Sequence, residues 1–151
     1  MSNPTGDAKS RAVACNNYGM LLAGKQRHAE AEALYREALG LVSDYADAHN
    51  NYGNLCVALG RHEEALEHYK EAIRVSPDAI SGPRALAFTH NNLALLLQSL
   101  ERQAEAVEHY KKALQLYPDY TDAHSNYAFL LSQMGRADEA EAHYRKALGI
   151  T

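Results

Sequence analysis

Residues 46–79 read ADAHNNYGNLCVALGRHEEALEHYKEAIRVSPDA, and this phrase returns three more times along the chain. It returns as AVACNNYGMLLAGKQRHAEAEALYREALGLVSDY from Ala12, as AFTHNNLALLLQSLERQAEAVEHYKKALQLYPDY from Ala87, and as TDAHSNYAFLLSQMGRADEAEAHYRKALGIT from Thr121. The first two copies start 34 residues apart, as do the last two; the middle interval is 41 because ISGPRAL, residues 80–86, is extra. A fixed period in this range is the signature of a repeat architecture. Each repeat is one supersecondary unit that buries its apolar stripe only by stacking on a neighbour.

Alanine, leucine and glutamate dominate the copies, while proline is rare and the glycines sit at spaced positions, which favours helix. Each copy reads as two helices. The first helices are expected over 9–23, 46–59, 84–100 and 121–134, and their partners over 28–41, 62–75, 103–116 and 137–148. Gly60 and Gly135 stand where a left-handed helix stop is wanted, and Pro77 and Pro118 prevent the second helices from continuing. In the insertion, Ser81 suits a helix cap and Pro83 a first helical turn, so a longer loop should lead into an extended first helix of the third copy.

The sequence resembles the tetratricopeptide repeat family over residues 12–151. The family pattern sets a large then a small residue in the first helix. A small residue, an aromatic and another small residue follow in the second, and a proline closes the unit. Here these are Tyr18, Gly19, Ala31, Tyr35 and Ala38, with Ser43 instead of proline; Tyr52, Gly53, Ala65, Tyr69, Ala72 and Pro77; Leu93, Ala94, Ala106, Tyr110, Ala113 and Pro118; and Tyr127, Ala128, Ala140, Tyr144 and Ala147. Cys15, His49, His90 and His124 replace the large residue that often opens the pattern. The resemblance implies an all-α fold, a right-handed superhelical α-solenoid of four helix-turn-helix units with eight helices. The organisation expected is a lead-in over 1–11 and a single domain over 12–151, with units 12–45, 46–79, 87–120 and 121–151 and the insertion at 80–86.

Several function classes fall away. Formal net charge is −4, with no basic excess to attract nucleic acid. The most apolar run, LALLLQSL at 93–100, is far too short to span a bilayer, and the start MSNPTGDAKSR lacks the apolar core of a secretory signal. Two cysteines do not make a disulfide scaffold, so a reduced, cytoplasmic setting is expected. Gly19-x-x-x-x-Gly24-Lys25 lacks the preceding strand and the following Ser or Thr of a phosphate-binding loop. The phrase HEEALEH puts His62 and His68 about 240° apart around a helix, so they do not form a metal-binding pair. The remaining histidines recur at fixed register places, which points to packing or a helix surface rather than to a unique site. No nucleophile, base and orienting group fall together, so no enzyme activity, metal or cofactor is expected in this chain.

Asparagine is a mediocre helix former, yet Asn17, Asn51, Asn92 and Asn126 occupy the sixth place of all four copies, with Asn16, Asn50 and Asn91 before three of them. The family resemblance implies that first helices line a concave groove and that this place faces into it, similar to the asparagine ladders of O-linked N-acetylglucosamine transferases and kinesin light chains. A carboxamide offers a donor and an acceptor, matching a peptide bond. On the alternative reading the same side chains bond to neighbouring helices and organise the stack. The remaining groove positions are Val13, Met20, Phe88, Leu95 and Phe129, which are apolar, Asn54, Gln98, Ser132 and Gln133, which are neutral, and Asp47 and Asp122 as the charges. The function implied is a non-catalytic scaffold holding an extended peptide or partner protein, without nucleic acid or membrane. Two alternatives stand beside it: a substrate-recognition module of a larger enzyme such as a glycosyltransferase, and a homo-oligomer formed through the uncapped C-terminal helix.

Overall fold

The computed structural model describes residues 4–76 and 82–150. Pro77 and Ser81, the expected helix stop and cap, lie outside the described residues. Eight helices are described: α1 Pro4–Gly24, α2 His28–Leu41, α3 Ala46–Ala58, α4 His62–Val75, α5 Gly82–Ser99, α6 Gln103–Leu116, α7 Thr121–Gln133 and α8 Ala137–Ala147. Helix α1 starts five residues earlier than expected, on Pro4. Proline suits a first helical position because the N–H it lacks has no intrahelical acceptor there. Helix α5 likewise starts at Gly82, two residues ahead of the expected Arg84.

The chain divides into two compact units, Met1–Gly82 and Pro83–Thr151. In the first, α1 packs on α2, α2 on α3, and α3 on α4; in the second, α6 packs on α7 and α7 on α8. The turn inside each helix pair is built identically. The residue at its apex is left-handed in all four: Gln26 at φ 63°, Gly60 at 73°, Glu101 at 60° and Gly135 at 77°. The next residue, Arg27, Arg61, Arg102 or Arg136, donates its N–H back to Leu22, Cys56, Leu97 or Leu131 at 2.8–2.9 Å, satisfying a carbonyl the helix end would orphan. Each of these arginines also pairs with the glutamate three residues on: Glu30, Glu64, Glu105 and Glu139. Thus the opening copy turns on Gln26, two residues after Gly24.

Close approach explains the small residues of the first helices. A Cβ on Gly19 would lie 2.7 Å from Tyr35 Cε1, and one on Gly53 would lie 2.7 Å from Tyr69 Cε1. The rings of Tyr35, Tyr69 and Tyr110 are among the largest fully buried side chains. Burying an aromatic ring of this size contributes about 2 kcal/mol or more. Tyr35 meets Tyr52 of α3 at 6.1 Å between ring centroids, and Tyr110 stacks on Tyr127 of α7 at 5.7 Å. Smaller cores close each unit. Ala12, Cys15, Ala38, Tyr45 and Ala48 form one, and Ala87, Ala113 and Ala123 another.

Candidate partner-binding surface

Four of the asparagines form two hydrogen-bonded rungs, one in each compact unit. In the first unit, Asn51 on α3 donates to the Asn16 carbonyl oxygen on α1 at 2.9 Å, and Asn16 donates onward to the Tyr45 hydroxyl at 3.4 Å. The second unit repeats this arrangement. Asn126 on α7 donates to Asn91 on α5 at 3.2 Å, and Asn91 donates to the Tyr120 hydroxyl at 3.3 Å. Asn16 and Asn91 are buried. This corrects the expectation that they reach a ligand. Being 100° behind the sixth place, they point between helices, where an unpaired carboxamide would be costly and both ends find partners.

Asn51 and Asn126 are half-buried and differ from those two. Each commits one amide hydrogen to its rung, and a carboxamide carries a second hydrogen and an oxygen with two lone pairs. Each also borders a recess. In the first unit a cavity of about 320 Å³ is lined by Met20, Gln26, His28, Asn51, Asn54 and Leu55 among others. In the second, one of about 350 Å³ is lined by Leu95, Gln98, Ser99, Asn126, Phe129 and Gln133. Tyrosines of the second helices brace the rims. Tyr69 donates to the Asn54 carbonyl oxygen at 2.5 Å and Tyr110 to Gln98 at 2.8 Å, while Gln98 donates to Gln133 at 3.2 Å. Met20, Leu95 and Phe129 are exposed beside these carboxamides.

The other expected positions are more scattered. Asn17 and Asp122 are exposed, while Asp47, Asn50 and Asn92 are half-buried. Phe88 is exposed and packs edge-on against Tyr120, with centroids 5.0 Å apart. His28 was not anticipated at a recess. Its Nε2 meets Gln26 at 3.0 Å, and its Nδ1 is buried with no hydrogen-bond partner.

The recurring histidines pair with one another. His49 and His68, His90 and His109, and His124 and His143 approach Nδ1 to Nδ1 at 3.2, 2.9 and 3.0 Å, each pair joining the two helices of one repeat. His49 Nε2–H donates to the Ser43 carbonyl at 3.0 Å and His124 Nε2–H to that of Pro118 at 2.7 Å. When both rings of a pair are neutral, that leaves the Nδ1 atoms of His49 and His124 as acceptors for His68 and His143. Such a bond needs at least one neutral ring. Burial depresses His68, His90 and His143, each further lowered by its partner histidine, and His90 falls to about 4. The constant 19-residue spacing of the pairs was visible in the sequence and is the signal that would have found them. In the opening copy Cys15 and Leu34 hold the two places and pack together in the core. Burial raises the thiols of Cys15 and Cys56, the latter to about 11, so neither is a ready nucleophile. Among the described residues no three His, Cys, Asp or Glu side chains gather in a way that could hold a metal, and no helix is long and apolar enough to cross a membrane.

Comparison with known proteins agrees with this architecture. A family model described as Tetratricopeptide repeat matches residues 10–78 and 44–119, and a second of the same description matches 99–150. Among curated proteins none matches the chain significantly. Among solved structures, MamA superposes with a TM-score of 0.77 at 19% identity, over 91% of this chain and 77% of MamA. The 41-end form of MamA from Desulfovibrio magneticus RS-1 gives 0.74 at 19% identity, over 92% of this chain and 75% of its own. A chain of the APC/C hetero-tetramer Cut9–Hcn1 gives 0.82 at 17% identity, over 93% of this chain and 27% of that one. These likenesses put the chain in the all-α solenoid class.

Proposed function

Because the chain belongs to the tetratricopeptide repeat family, we propose that it is a non-catalytic scaffold whose first-helix faces bind an extended segment of a partner protein. What carries the reading is the repeated recess with an asparagine rung at its edge, once in each compact unit. The chemistry fits a peptide backbone. A carboxamide held in place by one bond keeps a donor and an acceptor for a peptide group, and fixing it beforehand lowers the entropy lost on binding. The apolar side chains beside it, Met20 in one unit and Leu95 with Phe129 in the other, suit alternate apolar side chains of the ligand.

On this reading Asn16 and Asn91 are positioning residues that set the rung, and Asn51 and Asn126 contact the ligand. Few charges line either recess, so binding should depend weakly on salt. The test is a display screen of extended peptides carrying alternate apolar residues, followed by polarisation measurements on the peptides selected. Asn51→Ala with Asn126→Ala should weaken binding about tenfold, the scale of one or two lost hydrogen bonds, with helicity unchanged. Unaltered affinity in that double variant would remove the asparagines from the site.

A further inference from the structure

Two faces that are exposed in this chain are the two halves of a contact that it already makes internally. Where α2 meets α3, Tyr35 packs on Tyr52, Glu32 pairs with Arg61, and Arg36 donates to the Tyr52 hydroxyl at 3.1 Å. Helix α8 carries the same three residue types at the same register places: Glu141, Tyr144 and Arg145. Glu141 and Arg145 pair across one turn of α8, as Glu32 and Arg36 pair across one turn of α2. The other half recurs on α1, where Tyr18 and Arg27 stand 34 residues before Tyr52 and Arg61. No other second helix repeats the set, since Leu66 and Val107 replace the glutamate in the middle copies.

Exposure distinguishes the used halves from the unused. Tyr52 is 5% exposed and Leu55 3%, whereas their register mates on α1, Tyr18 and Leu21, are 50% and 56% exposed. Tyr35 is 2% exposed, and its mate Tyr144 is 36%. Leu148, four residues after Tyr144, and Ile150 are exposed as well. A tyrosine and leucine patch with an arginine on one helix, and a tyrosine flanked by glutamate and arginine on the other, reproduce the residue types of the internal contact and can pair glutamate with arginine in the same way.

We propose that copies of this chain associate head to tail, the α8 face of one seated on the α1 face of the next. Tyr144 then packs on Tyr18, Glu141 pairs with Arg27, and Arg145 donates to the Tyr18 hydroxyl of the neighbouring copy. The contact is heterologous, joining two different surfaces, so association continues past a dimer into a ring or a filament. It is separate from the recesses and does not depend on the peptide-binding reading.

Sedimentation velocity on the full chain tests it, with circular dichroism confirming that each variant stays helical. The wild type should grow in mass with concentration beyond a dimer. Tyr18→Glu and Tyr144→Glu should each be monomeric alone, because each destroys a different half, and their equimolar mixture should give one 1:1 complex and nothing larger. Arg27→Glu should weaken association about tenfold, and adding Glu141→Arg to the same chain should restore it, since every interface then carries the pair reversed. The proposal fails if the wild type stays monomeric into the millimolar range. It fails equally if Tyr18→Glu associates undiminished, which would mean an α8–α8 contact, or if the mixed variants do not pair.

Discussion

Acid should loosen this protein through its paired histidines, most strongly through His90 and His109. Their Nδ1 atoms are 2.9 Å apart, with ring centroids at 5.1 Å. Burial is the main cause that lowers His90 from 6.5 to about 4, followed by the charge of His109 and then of Lys112. The folded state therefore holds this ring neutral in a range where the unfolded chain protonates it. Stability is fully present above pH 6.5 and falls as the pH drops towards 4, because the unfolded state binds more protons across that window. The whole shift is worth about 3 kcal/mol at one unit per 1.36 kcal/mol. Residual solvent contact screens part of it, leaving about 1 to 2 kcal/mol lost between pH 7 and pH 5. The sharpest perturbation is His90→Cys with His109→Leu, which installs the Cys15 and Leu34 arrangement the chain already uses in its opening copy. Urea titrations followed by helix circular dichroism at both pH values give the comparison. The variant should lose about 1 to 2 kcal/mol less than the wild type on acidification. The His49–His68 and His124–His143 pairs, also lowered by burial, keep part of the dependence in both proteins. An identical acid loss in variant and wild type would refute the reasoning, since the pair could not then be the group that titrates.

Two further outcomes follow from single positions. Asn91→Ala removes the acceptor of Asn126 and the donor to Tyr120 from a buried place, and should cost about 2 kcal/mol in a denaturation experiment. Glu101 sits at φ 60°, where Gly60 and Gly135 stand in two sister turns. Relief of left-handed strain outweighs the added unfolded-state entropy, so Glu101→Gly should raise the stability of the second unit by about 0.5 kcal/mol.

Much of the fold could be read from the chain as written. The period of 34, the alanine and tyrosine places and the turn residues located eight helices. The four second helices start where expected, and three of them also end there. These features are local: a helix needs only its own residues and its caps to be recognised. The three histidine places and the two runs of asparagine were also visible, but what they do was not. Asn16 and Asn17 are adjacent, identical in chemistry and equally poor in helix propensity, yet one is buried and bonded twice while the other is exposed. The 100° between neighbouring residues separates them, and the side chains that Asn16 meets, those of Tyr45 and Asn51, lie 29 and 35 residues further along the chain. Likewise, spacing placed His90 and His109 on two helices of one repeat, but only the packing of those helices brought their Nδ1 atoms into hydrogen-bond contact and lowered the affinity of His90 for a proton. The chain's own periodicity determined which elements exist. The packing of one helix against the next decided which polar groups are consumed inside the fold and which stay at the surface, because that choice depends on distances between residues that share no local signal.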